Sequence, residues 1–201
     1  MPYFLIFIGC LGTIISIIGI DIPSIQQFDH ASVTWMDEHR INFLNAINVF
    51  LSHLGGLPGM LVICGLWCLF LYQSKKYKYI AFISFSLIGA SLIGWLLKWL
   101  FNRPRPDSIY ALTETYGASF PSAHSIYATV LSCLIIFIYQ NHVYARYIKI
   151  LACAWFITMG VSRVYLGAHY PTDVVAGWSI AFVWVSLLWL QFNRPNQATI
   201  N

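Results

Sequence analysis

The chain has 201 residues, of which 59% are apolar and only 9% are charged, and its formal net charge is +4. Soluble domains carry about 25% charged residues, so this composition excludes an ordinary soluble domain. The basic residues are scattered over short segments and form no patch. The positive charge therefore does not indicate a nucleic acid partner.

Six apolar segments follow one another along the chain, each close to the roughly 20 residues that a membrane-spanning helix needs. They cover residues 3–20, 54–72, 79–101, 123–140, 147–166 and 174–192. The first is predicted to be a retained anchor and not a signal peptide, because no basic segment precedes it and no small-residue cleavage site follows it. The sequence thus predicts an all-α polytopic membrane protein with six transmembrane helices.

The stretch between the first two apolar segments is more polar. Residues 25–51 mix charges with apolar side chains at helical spacing, as at Phe43, Ile47 and Phe50. This pattern predicts one or two short amphipathic helices at the membrane interface. No repeat or long linker divides the chain, so residues 1–201 are predicted to form a single domain.

Polar residues that are unusual in so apolar a chain occur in three stretches at the ends of the predicted spans. Because six spans alternate sides, the end of span three, the start of span four and the link between spans five and six should lie on one membrane face. The candidate site residues there are Lys98, Arg105, Ser122, Ala123, His124, Arg163, His169 and Asp173. Cations, imidazoles and the free N–H groups of a helix start together favour a tetrahedral oxyanion such as phosphate.

The two histidines are predicted to have different roles in phosphoryl transfer. His169 and Asp173 are four residues apart, so the carboxylate could hold Nδ1–H and leave Nε2 as a nucleophile that forms a phosphohistidine. His124 is the predicted general acid. The phosphate oxygens are predicted to be bound by Lys98, Arg105, Ser122, Ala123 and Arg163.

The predicted site requires no cofactor and no metal. Asp107, Glu114 and Asp173 are too few carboxylates for a magnesium site, and the two histidines lack a third ligand at a spacing that suits zinc. Arg103, which lies within the first polar stretch, is predicted to be a snorkelling residue at the membrane interface.

The three stretches resemble the three motifs of the type 2 phosphatidic acid phosphatase superfamily, in its membrane branch. The matching residues are Lys98, Arg105, Pro106, Pro121, Ser122, His124, Ser162, Arg163, His169 and Asp173. Ala123 stands where the family usually has glycine, and a helical conformation would tolerate this change. The resemblance covers about residues 45–192.

This resemblance implies metal-independent hydrolysis of phosphate monoesters or pyrophosphates of membrane lipids. The chain looks most like the bacterial phosphatidylglycerophosphatase B group, which also includes undecaprenyl pyrophosphate phosphatases. The expected partners are thus the lipid bilayer and a lipid phosphate substrate. The choice between phosphatidylglycerophosphate and undecaprenyl pyrophosphate stays open, as does the oligomeric state.

The loop charges predict an orientation. Six spans place on one side the residues Lys75, Lys76, Lys78, Arg146, Lys149 and Arg194, and on the other Arg40, Lys98, Arg103, Arg105 and Arg163. Without the three cations assigned to phosphate binding, six basic residues oppose two. The positive-inside rule then predicts cytoplasmic termini and a site on the extracytoplasmic face of the cell membrane.

Two other functions are compatible with parts of this pattern. A phosphotransferase would use the same intermediate with an acceptor other than water. A non-enzymatic membrane transporter is disfavoured, because the polar residues cluster at one interface and no inverted repeat is visible.

Overall fold

The computed structural model describes residues 1–193. Over this range the regular structure consists of eight α-helices and one 3₁₀ turn, and contains no strand. The helices are α1 (Pro2–Gly19), α2 (Pro23–Glu38), α3 (Asn42–Gly55), α4 (Leu57–Gln73), α5 (Tyr77–Phe101), α6 (Ala123–Ile138), α7 (Ala145–Tyr165) and α8 (Pro171–Phe192). Arg194, which was used to predict the orientation, lies outside the described residues.

Four of these helices, α1, α5, α7 and α8, are long and apolar enough to cross a membrane. Helices α3 and α4 together form a fifth candidate, which bends by 58° at the break between them. The all-helical prediction is therefore confirmed, with four or five candidate spans. The predicted count of six requires α6 as well, which is apolar but has only 16 residues, and it stays a prediction.

The polar segment between the first two predicted spans forms two helices, α2 and α3. Their existence agrees with the amphipathic pattern, while their position at the membrane surface stays a prediction. Helix α2 buries only Asp29 and Val33. A fully buried carboxylate on so exposed a helix indicates a specific partner, because an unpaired buried charge is unfavourable.

Helix α6 lies at the centre of the bundle. Eleven of its 16 residues are buried, and α7, α8 and α5 pack around it. Helix α1 packs closely against α8. A Cβ atom on Gly9 of α1 would lie only 2.7 Å from the Ser179 carbonyl oxygen of α8, so this position has room for glycine alone. Such small-residue contacts are typical of helix packing in membranes. This arrangement brings the end of α5, the start of α6, the end of α7 and the start of α8 to one end of the bundle.

Candidate active site

The short loop between α7 and α8 carries His169 into the site. Gly167 has a φ of +65°, and a Cβ atom there would lie 2.1 Å from the Tyr110 carbonyl oxygen. Only glycine fits this left-handed, crowded position. The Ala168 and His169 N–H groups both donate to the Arg163 carbonyl oxygen, at 3.0 and 3.3 Å. The loop is thus closed tightly on the end of α7, and His169 is fixed in position.

His169 is buried and faces different groups through its two ring nitrogens. Nε2 lies 3.3 Å from Arg105 Nη1, while Nδ1 lies 3.4 Å from Ser119 Oγ and 3.5 Å from Asp173 Oδ2. An arginine can only donate, so we assign the free lone pair to Nε2 and the proton to Nδ1.

The surroundings of His169 keep its ring neutral. Burial lowers the pKa of His169 well below its ordinary value, against the effect of Asp173, and the positive charges of Arg105 and Lys98 lower it further. A neutral imidazole retains the lone pair that a nucleophile needs.

Ser119 lies beside the predicted pair of His169 and Asp173. The 3.5 Å separation of Nδ1 and Oδ2 is longer than a good hydrogen bond. The same carboxylate oxygen accepts from Ser119 Oγ at 2.6 Å and from the Tyr170 N–H at 2.9 Å. Ser119 therefore lies beside both groups. Ser119 was not predicted, because a single serine in a loop gives no distinguishing signal.

Arg103 is not the snorkelling residue that the sequence predicted. Its Nη1 donates to Asp173 Oδ1 at 2.6 Å, its Nη2 donates to Asp29 Oδ2 at 2.7 Å, and its side chain is only 11% exposed. Burial alone would lower the pKa of Arg103, but the two carboxylates raise it. The prediction was wrong because Asp29, the second partner, lies on α2, 74 residues away in the sequence, where local spacing gives no indication of it.

Lys98 and Arg105 converge on the segment before α6. Lys98 Nζ donates to the carbonyl oxygens of Ala118, at 2.6 Å, and Ser119, at 3.2 Å. Arg105 donates to the carbonyl oxygens of Gly117 and Ala168, both at 2.8 Å. Both predicted phosphate-binding cations therefore bind backbone carbonyl oxygens, and Arg105 also lies 3.3 Å from His169 Nε2.

The start of α6 provides free N–H donors. Ser122 caps the helix, since its Oγ accepts from the Ser125 N–H, and its own N–H donates to the Asp173 carbonyl oxygen at 3.0 Å. Neither the Ala123 nor the His124 N–H donates to another residue between 1 and 193. Ala123 opens the helix without a positive φ, which confirms that alanine is tolerated there. Such a helix start is suited to an anion.

His124 and Arg163 both contact Ser52 of α3. His124 Nε2 lies 3.0 Å from the Ser52 carbonyl oxygen, and Arg163 Nη1 donates to Ser52 Oγ at 2.6 Å. The buried Nε of Arg163 has no hydrogen-bond partner in the described part of the chain. An unsatisfied buried guanidinium nitrogen is unfavourable and suits a site that binds an anion. Ser52 was also missed, since it lies on a helix predicted to be only interfacial.

Comparison with known proteins identifies the family of this chain. A family model described as the PAP2 superfamily matches residues 78–197, more than half of the chain. The chain belongs to the PAP2 superfamily. The model's range contains all three polar stretches, so the resemblance predicted from the motifs is confirmed.

Two phosphatases of Bacillus subtilis (strain 168) are similar to this PAP2 chain. Its phosphatidylglycerophosphatase B is 30% identical over 152 residues, which are 72% of this chain and 73% of that protein. Its undecaprenyl-diphosphatase BcrC is 25% identical over 159 residues, or 77% and 78% of the two chains. The predicted enzyme class agrees with both names.

A solved structure shares the fold. The crystal structure of a transmembrane PAP2 type phosphatidylglycerolphosphate phosphatase from Bacillus subtilis superposes with a TM-score of 0.83 at 25% sequence identity. The match covers 96% of this chain and 95% of that one. The multi-pass membrane architecture of this PAP2 chain therefore corresponds to that of a known membrane phosphatase.

Proposed function

We propose that this protein is a metal-independent phosphatase of membrane lipid phosphates, which acts on phosphatidylglycerophosphate, undecaprenyl pyrophosphate or both. The observation that carries the proposal is the environment of His169, a neutral buried imidazole whose Nε2 faces Arg105. The names of the two relatives support the choice of substrates.

The proposed reaction has two steps. In the first, the Nε2 lone pair of His169 attacks phosphorus, the bond from phosphorus to the lipid oxygen breaks, and His124 gives that oxygen a proton. In the second, His124 takes a proton from water as the water oxygen attacks phosphorus, the bond from phosphorus to Nε2 of His169 breaks, and inorganic phosphate leaves. Lys98, Arg105, Arg163 and the N–H groups of α6 stabilise the charge on the transferred phosphoryl group.

The proposed role of His124 requires a change at Ser52. His124 Nε2 lies 3.0 Å from the Ser52 carbonyl oxygen. Proton transfer from Nε2 therefore needs this contact to break when the lipid phosphate enters. Catalytic hydrogen bonds that form only with bound substrate are common.

Phosphate release in the presence of a chelator tests the proposed activity. The purified protein in detergent should release phosphate from phosphatidylglycerophosphate or from a polyprenyl pyrophosphate, with a rate that excess EDTA changes by less than about twofold. A glycerol acceptor included in the assay would reveal a phosphotransferase as phosphoglycerol. If no lipid phosphate releases phosphate to water, the proposal is contradicted, and transfer to glycerol alone would indicate the phosphotransferase instead.

We also propose six spans, with cytoplasmic termini and an extracytoplasmic site. Ile109 and Val143 form a matched pair for a test, since both are exposed apolar residues, 73% and 84% accessible, in segments that precede and follow α6. In a background without the native cysteines, Ile109→Cys should react with an impermeant maleimide on intact cells, and Val143→Cys should react only after lysis. The reverse pattern would overturn the orientation, and labelling of both from outside would contradict the crossing by α6.

A further inference from the structure

Arg103 joins two buried carboxylates that come from different parts of the chain. Its Nη1 contacts Asp173 Oδ1 at 2.6 Å and its Nη2 contacts Asp29 Oδ2 at 2.7 Å. Both aspartate side chains are fully buried. The guanidinium also lies over the Tyr170 ring, with its carbon 4.4 Å from the ring centroid. The guanidinium of Arg103 thus binds protein groups and does not face the space beside His169 Nε2.

Asp29 fastens α2 to the first turn of α8. Its Oδ1 accepts from the Thr172 N–H at 3.1 Å, and its Oδ2 accepts from the Thr172 hydroxyl as well as from Arg103. Thr172 is the residue before Asp173. The carboxylate of Asp29 therefore holds both the backbone and the guanidinium that determine where the Asp173 side chain lies.

The two oxygens of Asp173 are held from opposite sides. Oδ1 accepts from Arg103, whereas Oδ2 accepts from Ser119 and Tyr170 and faces Nδ1 of His169. A carboxylate fixed at both oxygens cannot rotate away from the imidazole. The orientation of His169 therefore depends on a chain of contacts that begins on α2.

We propose that Arg103 and Asp29 are positioning residues for the reaction, which act through Asp173 to hold His169 in line with the phosphorus atom. This inference rests on the proposed function, in which His169 is the nucleophile. It also gives α2 a role in turnover. Arginine suits this position better than lysine, because its planar fork reaches two carboxylates at once, whereas a lysine ammonium is a single point of charge.

Three variants test this role, with Arg40→Gln as a control. Arg40 is a matched residue, since its side chain is 10% exposed, it pairs with Asp37 of α2, and it donates to the Tyr165 carbonyl oxygen, but it does not contact Asp173. For Arg103→Gln, Arg103→Lys, Asp29→Asn and Arg40→Gln, we would measure kcat, the inhibition constant of inorganic phosphate and the melting temperature in one detergent.

The expected result separates positioning from stability. Arg103→Gln and Asp29→Asn should lower kcat by about 10- to 100-fold, with the phosphate inhibition constant within about threefold of wild type. Arg103→Lys should recover part of the lost kcat. Arg40→Gln should lower the melting temperature while kcat stays within about threefold.

Other outcomes overturn the inference. If Arg103→Gln does not fold, the nearly isosteric Asp29→Asn tests the positioning role in its place. A kcat of Asp29→Asn within about threefold of wild type would contradict that role. Equal loss of kcat in Arg40→Gln and Arg103→Gln would show that only the fold is involved. An inactive wild type would contradict the proposed function and this inference together, whereas an active wild type with unaffected variants contradicts this inference alone.

Discussion

Replacing His169 by alanine is expected to lower kcat for every lipid phosphate by at least about 10⁴-fold, because it removes the imidazole whose Nε2 faces Arg105 and attacks phosphorus. Removal of a nucleophile eliminates the covalent route altogether, and what remains is the binding and charge stabilisation supplied by the cations. The measurement is single-turnover phosphate release from phosphatidylglycerophosphate in detergent.

The control for this variant is a measurement of whether it still folds. His169 contributes its N–H to the contact with the Arg163 carbonyl oxygen, and alanine keeps that group. His169→Ala should therefore retain the elution profile and most of the thermal stability of wild type. A folded variant with a rate within about tenfold of wild type would exclude His169 as the nucleophile.

Replacing His124 by alanine is expected to have an effect that depends on the leaving group. For phosphatidylglycerophosphate, whose alkoxide needs a proton, kcat/KM should fall by about 10²- to 10⁴-fold. For p-nitrophenyl phosphate, whose leaving group is stable as an anion, kcat/KM should fall by less than about tenfold. The comparison uses kcat/KM because this ratio reports the steps up to the formation of the phosphohistidine and does not depend on its later hydrolysis.

His142 provides the matched control for His124. It is an exposed histidine at the opposite end of α6, and His142→Ala should leave both values of kcat/KM unchanged. Equal losses for the alkyl and aryl substrates in His124→Ala would show that His124 contributes charge or position and does not protonate the leaving group.

Much of the bundle and of the site could be predicted from local sequence patterns. Apolar runs fix the helices closely, as for α5, predicted over 79–101 and observed over Tyr77–Phe101. The alternation of predicted spans placed Arg105 and His169 on one face, and in the structure Arg105 Nη1 lies 3.3 Å from His169 Nε2. Long apolar runs predict helices well, because a membrane leaves few alternatives to them.

The supporting contacts could not be predicted, because they join residues that are distant in sequence. Ser52 contacts His124 and Arg163 from α3, and Asp29 contacts Arg103 from α2. Both helices were interpreted only through their amphipathic pattern, which describes a surface and not the partner of one buried side chain. Arg103 was misinterpreted for the same reason, since a cation near the end of a span is usually a snorkelling residue.

Trapping the covalent intermediate tests the central claim most directly. Wild type and His124→Ala would be mixed with phosphatidylglycerophosphate labelled in its terminal phosphate, quenched within milliseconds, digested and mapped. The account predicts a label on the peptide that contains His169, which is stable in base and lost in acid. It also predicts the same label in His124→Ala when p-nitrophenyl phosphate labelled in its phosphate is the donor. Turnover without bound phosphate in either protein, or a label on another residue, would contradict it.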